Sequence, residues 1–159
     1  MIRFMVVILD NIRSLYNVGS IFRTADGAGV EKIYLCGVTP EPIDRFGKPR
    51  QQFIKVSLGA EKAVKWEKAK SSGRLIDKLK KEGYKILAIE QAKNSIPYNK
   101  LKINSHKLKI AFVFGNEVRG ISPVILKKCD KVLEIPMRGK KESLNVSVAL
   151  GIAVFNFIK

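Results

Sequence analysis

Short apolar, β-branched runs alternate along this chain with segments of helical periodicity, and that alternation limits it to one kind of architecture. Residues 5–9 (MVVIL), 32–38 (KIYLCGV), 85–90 (KILAIE), the run KIAFVFG from Lys109 and the run KVLEIPM from Lys131 read as strands. Residues 17–30, 60–70, 74–82 and 123–129 read as helices, and 143–158 as a final one. Runs apolar at nearly every position suit strands buried on both faces, so the expected fold is α/β, a parallel sheet flanked by helices. Asn17 is placed to cap the first helix, and Gly83 to stop the helix ending at residue 82. Residues 39–52, with Pro40, Pro42, Gly47 and Pro49, have loop composition over a length that tends to be functional.

Thirty Lys and Arg against 14 Asp and Glu leave a net charge of +16, more than solubility asks for. A polyanion partner follows, with nucleic acid preferred to an anionic membrane surface. No stretch approaches the ~20 apolar residues that cross a bilayer, and the first apolar run ends at Asp10, as a strand would. Cys36 and Cys129 stand apart, without a CxxC pair or a neighbouring His, so neither a zinc site nor a disulfide framework is indicated. A cytoplasmic protein with no membrane and no metal partner is expected.

Several chemistries lack their signatures. The first strand runs into DNIRSLYN rather than a GxGxxG turn, and no GxxxxGK[ST] occurs, which disfavours dinucleotide and P-loop nucleotide sites. A single histidine, His106, excludes most histidine triads and metal clusters; it reads as a surface loop residue.

Three segments do not read as ordinary core. In NVGSIFRTADGAGV (residues 17–30), Arg23 lies among small and apolar positions, where its five donors suit a phosphate or carboxylate, or a surface ion pair. In FVFGNEVRGIS (112–122), Gly115 and Gly120 bracket Glu117 on a loop leaving a buried strand; Glu117 could serve a ligand or cap the helix that starts near Ser122. In IPMRGKKESLNVSVALGIAVF (135–155), Ser143 and Asn145 stand where the last helix starts and N–H groups are free, as site residues or as its cap. That helix is apolar on nearly all sides, which calls for deep burial or a partner subunit.

Together, in order, spacing and most residues, these segments resemble the three signature motifs of the TrmH (SpoU) branch of the SPOUT RNA methyltransferases. The resemblance implies a deep C-terminal trefoil knot, an exception to the rule against threading. It also implies one SPOUT domain over residues 1–159 with no appended RNA-binding domain, working as a homodimer. S-adenosyl-L-methionine would be the cofactor, bound by Gly115, Ile135 and Leu144, with Met137 and Gly139 close by and Ile89 contributing. Asn17, Arg23, Glu117, Ser143 and Asn145 match the polar, catalytic positions. The implied reaction is methyl transfer to a ribose 2′-hydroxyl of RNA. Activation of the hydroxyl is attributed to Arg23, either as base or as electrostatic stabiliser. An arginine pKa of about 12.5–13.8 makes the first role hard, and cations at oxyanions make the second natural. The substrate is expected to be tRNA rather than rRNA, held by the basic surface and by Arg45, Lys48 and Arg50 of the 39–52 loop. Methylation of a base, or RNA binding without catalysis, are the competing readings.

Overall fold

A computed structural model describes residues 4–103 and 107–158, so the expectation for His106 lies outside the described residues. In chain order the elements are β1 (Phe4–Asp10), α1 (Leu15–Gly27), β2 (Lys32–Cys36), α2 (Gln51–Ser57), α3 (Ala60–Ala63), β3 (Lys65–Ala69), α4 (Ser72–Lys81), β4 (Tyr84–Ile89), β5 (Ile96–Pro97), β6 (Lys109–Gly115), α5 (Pro123–Lys128), β7 (Lys131–Glu134) and α6 (Val146–Asn156). The strands form one sheet in the order β3-β2-β1-β6-β4-β7-β5. Its pairings are parallel, so the strands' C-terminal ends share one edge.

Alternation along β1 divides the core. Val7 and Leu9 face a cluster with Phe22, Phe53, Phe112 and Leu150, under α1, α2, α3 and α6. Val6 and Ile8 face a second cluster with Leu75, Ile76, Leu79 and Val113, under α4 and α5. The edge-to-face rings of Phe22 and Phe53, 5.1 Å apart, lock α1 to α2. Register runs from Phe4 opposite Lys109 to Asp10 opposite Gly115, which sets the end of β1 beside the end of β6. The chain leading into the first signature segment thus lies beside the second.

Several expectations need correcting. Ser14, not Asn17, caps α1: its side chain accepts from the Asn17 N–H (3.1 Å), and Asn17 is buried one turn in. The helix expected over residues 60–70 stops at Ala63, and residues 65–69 are β3, an edge strand whose half-buried Trp66 packs on the core while lysines face out. Lysine-rich composition suits an edge strand because charge blocks pairing with other chains. The 39–52 loop ends at Arg50, where α2 begins, and β2 ends at Cys36 rather than residue 38 because Gly37 turns with φ 62°. The strand KVLEIPM ends at Glu134, and α6 begins at Val146. Nor is α6 deeply buried: Val148 and Phe155 each expose 50 % of their surface, although Leu150, Ala153 and Val154 are fully enclosed. No helix among the described residues is long and apolar enough to cross a membrane.

Candidate cofactor pocket and polar site

At the C-terminal edge of the sheet, a cavity of about 290 Å³ opens between the ends of β4, β6 and β7 and the start of α6. Crevices outside the carboxyl ends of parallel strands are the usual ligand sites of such sheets. Asn17, Ile89, Gly115, Glu117, Ile135, Met137, Ser143, Leu144 and Asn145 all line it. Residues from all three signature segments and from the end of β4 thus converge on one space.

The polar side of the cavity is a continuous hydrogen-bonded chain. Glu117 does not cap α5; Ser122 does, accepting from the Ile125 N–H (3.4 Å). Glu117 instead turns to the start of α1, where Oε2 accepts from the Arg13 N–H (3.1 Å) and Oε1 from the Ser14 N–H (3.0 Å). Oε1 also accepts from Asn17 Nδ2 (3.3 Å). Asn17 Oδ1 in turn accepts from Asn145 Nδ2 (3.1 Å). Asn145 is the N-cap of α6, its Oδ1 accepting from the Ser147 N–H (2.9 Å). Asn17 is only 6 % exposed, so both ends of its amide need partners, and both have them. Burial pushes the Glu117 carboxyl up, but hydrogen bonds from the Ser14, Arg13 and own-backbone N–H groups and from the Asn17 amide outweigh it. The group is therefore held below its ordinary 4.5, as an anion at neutral pH.

The wall opposite is backbone and apolar side chain. A Cβ added to Gly115 would lie 2.5 Å from the Gly120 carbonyl carbon and 2.6 Å from the Ile121 nitrogen, so only glycine lets the 115–121 loop fold back on itself. Asn116 shapes that loop, with Oδ1 accepting from the Val118 and Arg119 N–H groups (both 3.0 Å) and Nδ2 donating to the Asn11 carbonyl (2.8 Å). Ile89, Phe114, Ile135, Met137 and Leu144 supply an apolar surface. A compact ligand with one flat apolar part and several polar atoms fits this lining, and the volume is at the lower end for small-molecule sites.

Sequence reasoning missed Glu90 and Gln91, which line the same cavity. Glu90 Oε2 accepts from the Ile121 N–H (3.0 Å) and Oε1 from the Gln91 N–H (2.8 Å), while Gln91 Nε2 donates to the Glu142 carbonyl (2.6 Å). This pair ties the end of β4 to the loops on either side of the cavity. An acidic and an amide residue directly after an apolar strand were the available signal. Asn116, first residue of a tight turn, was another.

Two expected residues are outside the lining itself, Gly139 close beside it. Gly139 lines a neighbouring depression with Met137, Lys140 and Lys141. Arg23 is exposed on α1 and is not part of the cavity lining. Six helical positions from Asn17 amount to roughly 9 Å of rise and a different face. Of the three loop cations, Arg45 and Lys48 are exposed, and Arg50 is half-buried with Nε donating to the Ile43 carbonyl (3.1 Å).

The fold and this convergence of segments define a SPOUT-type α/β protein, and the comparisons agree. The SpoU rRNA Methylase family profile matches residues 4–155, so the chain belongs to that family. A protein assigned to the TrmH family of tRNA/rRNA methyltransferases in Staphylococcus haemolyticus is 35 % identical over 150 residues, 94 % of this chain and 56 % of its own length. The chain thus spans little more than half of that relative. Among solved structures, the AdoMet-bound rRNA methyltransferase of Sinorhizobium meliloti superposes with a TM-score of 0.86 at 27 % identity, covering 97 % of this chain and 55 % of that one. The TrmH/SpoU tRNA modifying enzyme of A. aeolicus gives 0.80 at 31 % identity, covering 96 % and 72 %.

Proposed function

We propose that this protein is an S-adenosyl-L-methionine-dependent RNA methyltransferase acting on a ribose 2′-hydroxyl, with tRNA preferred to rRNA. One observation carries the reading: residues from all three motif segments, up to 128 positions apart where they bond directly, line one polar-and-apolar cavity at the ligand edge of the sheet. The cavity belongs to the region where the resemblance implies the trefoil knot.

Bound there, the cofactor supplies an electrophilic methyl group on a sulfonium. Ile89, Ile135, Met137 and Leu144 would hold its adenine by apolar contact, and the close backbone at Gly115 would read its polar edges. Glu117 and Asn145 act as organisers, because their polar atoms are already spent on fixing the start of α1 and the start of α6. What remains for the protein is placement of the hydroxyl within ~3–3.5 Å of the methyl and stabilisation of the negative charge that develops on its oxygen.

Arg23 suits that last role, but from its own chain it does not enter the cavity. Val148 and Phe155 of α6 each expose 50 % of their surface, and Ile158 just beyond it 43 %; α6 packs on α1 where Gly151 meets Thr24, next to Arg23. A homodimer covering that apolar face would set Arg23 beside the subunit contact. Arg45 and Lys48, with the remaining positive charge, would hold the RNA phosphates.

Equilibrium titration with S-adenosylmethionine tests the pocket. The wild type should bind, and Gly115→Val, which cannot keep the 115–121 loop in place, should lose binding. Equal affinity in the two proteins would put the cofactor elsewhere.

A further inference from the structure

Phe46 stands near the tip of the loop between β2 and α2 with 72 % of its surface exposed, the most open aromatic ring among the described residues. A single exposed ring is ordinary on a protein surface. Its setting is not. The tip is held rigid: Asp44 Oδ1 accepts from the Phe46 N–H (2.8 Å) and the Lys48 N–H (3.0 Å), and the Asp44 N–H donates to the Lys48 carbonyl (2.8 Å). Gly47 makes the turn with φ 75°, and a bridge between Ile43 and Pro49 closes its base. A ring so fixed can bind without a large ordering cost.

Its neighbours are cations. The Arg45 guanidinium lies 4.7 Å from the ring centroid, and Lys48 is exposed two residues on. One face of the phenyl is covered by the guanidinium, and the other is left to a ligand. An apolar protein surface would not select two flanking cations. A nucleotide would, because it brings a flat base and a phosphate together.

The loop is also coupled to the cavity. The Val38 N–H donates to Asn11 Oδ1 (3.0 Å), and the Asn11 carbonyl accepts from Asn116 Nδ2 (2.8 Å), inside the cavity wall. The buried Thr39 hydroxyl lies within donating reach of the Cys36 carbonyl (2.7 Å) and the Leu9 carbonyl (3.0 Å) and accepts from the Ile12 N–H (3.1 Å), fixing the loop base to the ends of β1 and β2. Strand β2 is two places from β6 on the same sheet, roughly 10 Å away at the usual spacing.

We infer that Phe46, backed by Arg45, is a stacking platform for an unpaired base of the RNA substrate, with Lys48 on an adjoining phosphate. The inference rests on the RNA methyltransferase reading above and narrows it. The favoured substrate is a single-stranded loop, bulge or end, since an uninterrupted A-form duplex hides its base faces.

The test is binding of the full chain to a fluorescent oligoadenylate of about 12 nucleotides and to an RNA duplex of the same length. Phe46→Ala should weaken the single strand by about 5- to 100-fold and leave the duplex nearly unchanged, with S-adenosylmethionine binding intact as a check on folding. Phe46→Trp should restore affinity, and Phe46→Leu should not. Lys48→Gln should weaken both RNAs and lower the salt slope by about one. Wild-type affinity in Phe46→Leu would make the ring an apolar contact for protein, and equal losses on strand and duplex would reduce the loop to a phosphate contact; either overturns the platform. If the wild type binds no RNA and methylates none, the RNA reading itself fails. If it methylates RNA while the Phe46 variants bind as wild type does, only the platform fails.

Discussion

Asn145 Nδ2 donates to Asn17 Oδ1 across 3.1 Å and 128 residues of sequence, joining the last signature segment to the first. Glu117 completes the line by accepting from Asn17 on its other side. Three segments that are each unremarkable alone become one site through a single buried amide.

Coupling between the two asparagines should therefore be measurable. Asn17→Ala should cost about 1–3 kcal/mol, because it orphans groups on both sides of a buried position. Asn145→Ala removes the cap of α6 and should cost about 0.5–2 kcal/mol. In urea denaturation the double variant should lose less than the sum, since both changes break the same bond. Strict additivity would mean that the amides act independently.

Glu117 sets an acid dependence. Its carboxyl is held below 4.5 in the folded chain, so the ionised form favours folding; that contribution is full above about 4.5 and is lost as pH falls through the lower folded-state value. Wild type should be more stable than Glu117→Gln at pH 7, and the gap should narrow as pH falls from 7 through 4.5 into the acid range. A stability gap unchanged over that range would contradict the hydrogen-bonded anion.

Much of this arrangement was legible in the chain, for definite reasons. Strands β1, β4 and β6 are apolar at nearly every position because both faces of a parallel sheet are covered, and that pattern survives without knowledge of tertiary contacts. Residues 60–70 misled because edge strand β3 is lysine-rich, and only its pairing with β2 reveals it. Asn17 resembled a cap because asparagine favours that role; the bond to Asn145 explains why it sits a turn further in. Glu90 and Gln91 went unread because their partners, Ile121 and Glu142, are distant in sequence. Arg23 is exposed on α1 outside the cavity lining, so its role rests on the resemblance alone.

The clamp at the end of β4 should matter to ligand binding. Glu90→Ala frees the Ile121 and Gln91 N–H groups and loosens the 115–121 loop. Calorimetry should show S-adenosylmethionine affinity falling by about tenfold, the loss equivalent to one hydrogen bond. Gln91→Ala should act through the other loop, with a smaller effect. Unchanged affinity in both would make the pair purely structural.

Neither cysteine should behave as a reactive thiol. Burial pushes both Cys36 and Cys129 up to about 11. Both are free of disulfides. Labelling of the native protein by a thiol reagent at pH 8 should be far slower than after unfolding, and should rise steeply as pH approaches 11. Fast native labelling at pH 8 would show that the two are more open than the structure has them.

The proposed function requires transfer of a methyl group to ribose from this cavity. Incubation with tRNA and, separately, rRNA in the presence of S-adenosylmethionine carrying a labelled methyl, followed by nucleoside mass spectrometry, measures it directly. Label in a 2′-O-methylnucleoside, strongest from tRNA and abolished by Arg23→Ala with cofactor affinity retained, is the result predicted. Label in a base, or transfer undiminished in Arg23→Ala, would contradict it.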